Sequence, residues 1–194
     1  MQPMEIPTVE TERLRLRPWT DADREPFAEL NGDPDVMRYM RRRLDRADSD
    51  ALLDRIVEGW ATNGFGLWAV EGRLDERFLG FVGLSRPSFD APFMPAVEVG
   101  WRLARDAWGF GYATEGGRAS LRYGFEEIGL EEIVSLTSVI NERSRRVMER
   151  LGMNRDPADD FDHPLLEPGR ETRRHVLYRL RREDWPRATG LPTG

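Results

Sequence analysis

Between Glu98 and Glu115 the chain reads Glu-Val-Gly-Trp-Arg-Leu, then Ala-Arg-Asp-Ala, then Trp108-Gly109-Phe110-Gly111-Tyr112-Ala113-Thr114-Glu115. The alternation predicts a strand, the glycines a turn, and the residues after them a helix. Such a turn gathers unpaired backbone N–H groups at one point with the helix dipole behind them, a combination that binds phosphate or pyrophosphate. Gly109 and Gly111 carry no Cβ, so the backbone can approach a ligand closely. A tight strand–helix connection without a ligand would show the same pattern. Two other phosphate sites are set aside. A dinucleotide-binding turn has a third glycine where this chain has Thr114, and a P-loop needs a lysine, which the chain lacks. A second segment, Asn141-Glu-Arg-Ser144-Arg145-Arg146-Val-Met148-Glu-Arg-Leu-Gly-Met153, follows another predicted strand about 30 residues on. Together the two segments point to an acyl-coenzyme A site.

These segments need a frame to hold them. Leu14, Leu16 and Trp19 alternate with Arg13, Arg15 and Arg17, which predicts a strand with one buried face. Residues 1–10 read as a loose lead-in. Asp21 is placed to cap a helix over 22–31, with Phe27 and Leu30 inward and Asp33-Pro34 as its stop. A short helix is expected near 36–40 and a charged loop at 41–50. Ser49 or Asp50 would cap the next helix, whose Leu52, Leu53, Ile56, Val57 and Trp60 share one face. Residues 67–71 and 78–84 predict an antiparallel hairpin. Residues 85–96 hold three prolines with Phe89, Phe93 and Met94. This apolar loop either folds onto the core or serves as a substrate lid or dimer contact. Strands follow at 97–103, 133–139 and 173–181, with a weak one starting at Met153. Helices are expected at 111–128 and 142–151, the second stopped by Gly152, and a long loop at 156–170. This order of elements suits an α/β (α+β) fold, a mixed sheet with helices on both faces.

Composition narrows the chemistry. All 29 basic residues other than the two histidines are arginine, so Schiff-base and Ser–Lys catalysis are excluded. There is no cysteine, which removes thiolate nucleophiles, disulfides and Cys-ligated metals. His163 and His175 have no metal-ligand spacing, so no metal is expected. The net charge of −6 argues against a nucleic-acid partner. No apolar run approaches the roughly 18 residues of a membrane span, and no signal peptide is read, so the expected location is the cytoplasm with no membrane partner.

The motif Trp-Gly-x-Gly-Tyr-Ala-Thr-Glu after Glu-Val-Gly-Trp-x-Leu resembles the acetyl-CoA segment of the GCN5-related N-acetyltransferases (GNAT). Asn-x-x-Ser-x-x-Val-x-x-x-x-Gly-Met, the opening Thr-Glu-Arg-Leu-x-Leu-Arg-Pro-Trp and the closing His-Val-Leu-Tyr-x-Leu resemble the RimJ/RimL-like branch of that superfamily. The match implies a single acetyltransferase domain over 1–194, with its core at about 11–185 and flexible ends. It implies a mostly antiparallel sheet splayed between its fourth and fifth strands, residues 97–103 and 133–139. By the same resemblance the N–H groups of Gly109, Phe110, Gly111, Tyr112, Ala113 and Thr114 hold the acetyl-CoA pyrophosphate. Trp101 and Leu103 offer backbone bonds to the pantetheine arm. Asn141 bonds that arm, caps the following helix, or does both. Arg145 or Arg146 meets a CoA phosphate. Relatives often have Gln or Arg three residues before the first glycine, where this chain has Asp106.

The implied reaction moves acetyl from acetyl-CoA directly to a primary amine. A protonated amine cannot attack, so a carboxylate must take its proton. Glu98, on the strand beside the thioester, is the candidate base; a surface glutamate would read the same. A backbone N–H on that strand would serve the developing oxyanion. Many relatives place a proton-donating Tyr near the position of Met148, which cannot donate, and Ser144 is the substitute. The acceptor is a protein N-terminus or a small molecule such as a polyamine, amino acid or antibiotic. A non-catalytic CoA-binding module is a further alternative, and a homodimer is compatible with the resemblance. Asp159, Asp160 and Asp162 stand on the loop expected to border the acceptor, where they would attract a cationic amine or simply be solvated.

Overall fold

The period-2 stretches become one sheet in the computed structural model, which describes residues 6–186. The elements in chain order are β1 (Val9–Glu10), β2 (Leu14–Arg17), α1 (Arg24–Gly32), α2 (Arg46–Asn63), β3 (Leu67–Gly72), β4 (Phe78–Ser85) and β5 (Glu98–Leu103). They continue with α3 (Tyr112–Arg122), β6 (Glu132–Ser138), α4 (Glu142–Arg150), β7 (Asn154–Arg155), β8 (Phe161–Asp162) and β9 (Arg174–Arg181). The strands lie in the order β1-β2-β3-β4-β5-β6-β9-β7, with β8 also on β9. Every pairing is antiparallel except β5–β6.

That parallel pairing is where the sheet opens. β5 and β6 share a single register pair, Glu98 with Val134, and one backbone bond, Val134 N–H to the Val97 carbonyl at 2.9 Å. The next contact is already a side chain: Ser135 Oγ donates to the Val99 carbonyl at 2.9 Å. The splay thus falls between residues 97–103 and 133–139, as the resemblance implies.

Successive residues of a strand face opposite sides, and β4 displays both. Phe81 meets Phe27 of α1, ring centroids 6.1 Å apart, while Val82 lies under α3. A Cβ on Gly116 would come within 2.9 Å of Val82, and one on Gly117 within 2.9 Å of Leu151, so these glycines let α3 press onto the sheet and the end of α4. Leu14, Leu16, Leu121, Ile133 and Val176 are fully buried on the α3–α4 side. The helix predicted at 111–128 is α3 continued by a π-helical turn over Tyr123–Ile128, closed by Gly129 in the left-handed conformation.

Four expectations need correction. Residues 6–10 are not a loose lead-in, since Pro7 accepts from Trp68 Nε1 at 2.7 Å and Val9 pairs with Leu16. The helix near 36–40 is a run of turns, because Asp33 Oδ1 takes the N–H groups of Asp35 and Val36 and holds the chain there. α2 begins at Arg46, capped by Asp45 through the Asp48 N–H at 2.8 Å, which shortens the charged loop. Asp21 opens a short 3₁₀ turn, and α1 starts only at Arg24. Residues 1–5 and the tail beyond Pro186 lie outside the described residues.

Candidate active site

The splay leaves one edge of β5 without a neighbour. The carbonyls of Val97 and Val99 face β6, so by the strand period the backbone groups of Trp101 and Leu103 continue along the same edge, where β6 has moved away. The Leu103 carbonyl is taken by the indole N–H of Trp108 at 2.9 Å. This ties the end of β5 to the start of the glycine turn.

Gly109 and Gly111 adopt φ of 85° and 84°, a left-handed conformation that residues with a Cβ resist. The first helical bond of α3 runs from the Glu115 N–H to the Gly111 carbonyl, 3.0 Å. The N–H groups of Tyr112, Ala113 and Thr114 therefore have no acceptor within the helix. The Thr114 hydroxyl is buried and without a partner among the described residues. Donors clustered at a helix start, over glycines that leave the approach open, fit an anionic diphosphate. Asp106 and Arg105 turn away from it, onto Arg77 and Asp35.

The turn is held from outside by residues that the sequence reading passed over. Arg13 donates through Nη1 to the Phe110 carbonyl at 2.8 Å, and its guanidinium lies 4.9 Å from the Tyr112 ring centre. Glu115 fixes Arg13: Oε2 accepts from Arg13 Nε at 2.7 Å, and Oε1 accepts from the Arg13 N–H at 2.8 Å and from Thr11 Oγ1 at 2.6 Å. Burial pushes the Glu115 carboxyl up, but these bonds outweigh it and hold the group below the usual carboxylate range. With the Phe110 carbonyl drawn toward Arg13, the opposite side of that peptide, the Gly111 N–H, faces away from Arg13.

On α4, Asn141 caps the helix by accepting from the Ser144 N–H, and its Nδ2 reaches Thr137 Oγ1 at 2.9 Å and Ser144 Oγ at 3.2 Å. Ser144 Oγ is thus an acceptor here, leaving its own proton for donation. Arg146 is exposed and pairs with Glu142 at 3.0 Å. Arg145 donates to the Val139 carbonyl. Arg143 lies 4.5 Å above the Trp108 ring, directly before Gly109, and is the arginine of this helix that stands beside the turn.

Glu98 occupies the other face. Its register partners Ser85 and Val134 place it on the side of Phe81, hence of α1. Its carboxylate takes the N–H of Leu136, a donor freed where β5 and β6 diverge, yet burial dominates and pushes the carboxyl up to about 8. The same face carries His175 on β9, and around it Phe89, Phe93, Phe161 and His163 form a ring cluster. Phe89 lies 4.4 Å from His163, Phe93 5.1 Å from Phe161, and His163 4.9 Å from His175. The loop at 85–96 is thereby folded onto β8 and β9. Burial, then the neighbouring His175, pushes His163 down to about 4, so its imidazole is neutral at pH 7. Arg170 bonds the carbonyls of Met40 and Arg41, both at 2.7 Å, joining the segment after β8 to the one after α1. Asp159 pairs with Arg179 and Asp160 with Arg155, while the exposed Asp162 lies 3.8 Å from Arg173 and 3.4 Å from Arg174. Among the described residues no group of three or more His, Cys, Asp or Glu side chains could hold a metal ion.

A sheet that opens beside a glycine-turned helix start, with a carboxylate on the far side of the opening, is the scaffold of an acyl-CoA-dependent transferase. The chain belongs to the GNAT acetyltransferase family, whose domain matches residues 13–154. The FsC-acetyl coenzyme A-N(2)-transacetylase of Aspergillus fumigatus is 34% identical over 93% of this chain and 79% of that protein. An acetyltransferase from Agrobacterium tumefaciens is 27% identical, with a TM-score of 0.73 over 91% of this chain and 95% of that one. A GNAT-family acetyltransferase from Bacillus anthracis is 25% identical, with a TM-score of 0.74 over 91% and 99%. The chain is an acetyl-CoA-dependent N-acyltransferase.

Proposed function

We propose that this enzyme acetylates a small-molecule primary amine by direct transfer, with Glu98 as general base. The observation that carries the reading is the Glu98 carboxyl itself: it sits at the mouth of the splay with its proton affinity raised to about 8, where a base works best near neutral pH. The acetyl thioester supplies an activated carbonyl. The amides of Gly109 to Thr114 hold the pyrophosphate, Trp101 and Leu103 pair with the pantetheine arm, and Asn141 bonds it through the remaining lone pair of Oδ1. Arg143, rather than Arg145 or Arg146, meets a CoA phosphate. Glu98 takes the proton that the amine loses as its nitrogen bonds the carbonyl carbon, a β5 N–H faces the charging oxygen, and Ser144 protonates the sulfur as the C–S bond breaks, regaining a proton from water.

A small acceptor is favoured because three segments wall the Glu98 face. The loop at 85–96 packs on β8 and β9, and Arg170 binds the segment after β8 to residues 40–41. A peptide N-terminus needs an open groove there. The name of the Aspergillus fumigatus relative, which specifies an N(2) nitrogen, fits the same reading. Placement in the RimJ/RimL-like branch, a cytoplasmic location and a homodimer belong to the proposal as well. Among the described residues no helix is long and apolar enough to cross a membrane. The test is CoA release over a panel of small amines and of N-terminal peptides, with thermal stabilisation by acetyl-CoA measured beside it. Turnover with small amines is expected. Turnover with peptides alone would return the acceptor to a protein N-terminus. Stabilisation without any turnover would leave a CoA-binding module.

A further inference from the structure

On the acceptor face of β5 three residues follow one another at every second position: Glu98, Gly100 and Arg102. A Cβ built on Gly100 would meet nothing within 4 Å except Glu98 Oε1, at 3.9 Å. The Glu98 carboxylate therefore leans over Gly100, and the space above that glycine is open. At the far side stands Arg102. Its guanidinium lies 5.2 Å from the Phe81 ring centre, donates to Asn31 Oδ1 and touches Met40 Sδ at 3.4 Å. No carboxylate of the described residues pairs with it.

This is unusual company for an arginine in a chain with 35 acidic residues. Arg17, Arg155 and Arg179, which are also partly buried, all hold carboxylates. A guanidinium withdrawn from water with no anion is costly, and burial lowers its proton affinity to about 10. Glu98 is the mirror case, a sheltered carboxyl without a cation. The two do not pair with each other: Glu98 takes the Leu136 N–H, and Arg102 is held on Asn31. An occupant with a positive and a negative end, lying over Gly100, would compensate both.

We propose that Arg102 binds the carboxylate of the acceptor, and that the acceptor is a compact amine bearing a carboxylate, of amino-acid type, whose amine is thereby presented to Glu98. The inference rests on the reading of the Glu98 face as the acceptor side. Arg170, bound to the carbonyls of Met40 and Arg41, keeps Met40 against the Arg102 guanidinium.

The experiment compares the free L-amino acids with their primary amides as acceptors for the purified full chain at saturating acetyl-CoA. The expected result is a kcat/KM at least tenfold higher for an acid than for its amide. In Arg102→Gln that ratio falls to about one through a raised KM for the acid, while the KM for acetyl-CoA and the rate with the amide are kept. Asn31→Asp provides a second route, because it places an anion on Arg102 without removing it. The preference should vanish there too, and with it the alternative that Arg102 is only a strut between β5 and α1, which Asn31→Asp would strengthen without changing acceptor choice. Equal rates for acids and amides in the wild type, or a preference that survives both variants, would overturn the inference and leave the direct-transfer reading standing. No CoA release with either series, against turnover of peptides or of none, would overturn both.

Discussion

The two sides of the splay are built on opposite principles. On the proposed cofactor side the charges that hold the glycine turn are paired: Arg13 is held by Glu115, Glu115 by Thr11, and the pair pins the carbonyl of Phe110. What is offered there is backbone, the amides of the glycine turn, with Arg143 beside them over Trp108. On the proposed acceptor side rings pack together beside β8 and β9, the strip over Gly100 is open, and what lacks an opposite charge is Glu98 and Arg102. The cofactor side suits a ligand whose diphosphate every such enzyme must recognise alike. The acceptor side leaves its chemistry to single side chains, which one substitution can change.

The contrast predicts where a change does most harm. Gly111→Val should affect the cofactor side most, since φ of 84° is forbidden to valine and the turn must rearrange. Losing two charge-assisted bonds, each on the order of 2 kcal/mol, corresponds to about a 1000-fold loss of acetyl-CoA affinity. Calorimetry showing normal affinity would remove the turn from the binding site. Glu98→Gln should leave that affinity intact and lower kcat about 100-fold. Wild-type turnover should climb with pH up to about 8 as Glu98 loses its proton. In the variant that limb should give way to a later one, set by the amine's own deprotonation, so alkaline pH restores part of the rate. An unchanged pH–rate profile would take Glu98 out of the mechanism.

A smaller effect tests whether the clamp matters as such. Arg13→Ala or Glu115→Gln removes no group that faces the diphosphate, yet frees the Phe110 carbonyl. The expected cost is about tenfold in KM for acetyl-CoA with kcat kept. Equal loss in kcat, or none in KM, would show that the turn keeps its shape unaided.

How much of this was legible in the sequence follows the same division. The glycine turn, the strand before it and the cap at Asn141 are local patterns, and they fall where the spacing put them. The strands and helices were legible through their periodicities, whereas the splay was implied only by the resemblance to the GNAT enzymes. The clamp was not, because Arg13 and Glu115 are 102 residues apart and nothing in either neighbourhood announces the other. Choosing Arg143 over Arg145 and Arg146 requires knowing how α4 is rolled against Trp108. Ser49 looked like a cap, but it is fully buried and accepts from Asn31, so Asp45 caps α2 instead. Nothing in the sequence singles out Arg102, and only the tertiary structure shows that it stands without an anion.

The smallest effect concerns stability, and it too sets the two sides apart. A carboxyl whose folded pKa is raised to about 8 favours the neutral form, so the native state keeps a proton that the unfolded chain releases near the ordinary glutamate value. Stability contributed by this group is therefore present in acid, declines as pH rises from that ordinary value, and is lost above about 8. Glutamine cannot ionise, so Glu98→Gln should match the wild type at pH 5 and melt higher at pH 9. Glu98 is only half-buried, and solvent screens much of the penalty. A difference on the order of 1 kcal/mol, or about 3 °C in a chain of this length, is expected. Glu115 carries the opposite sign. Its carboxyl is held below the usual range, so Glu115→Gln should cost stability at neutral pH and nothing in strong acid. Should both variants respond to pH in the same direction, the distinction between a settled charge on one side of the splay and an unsettled one on the other would not hold.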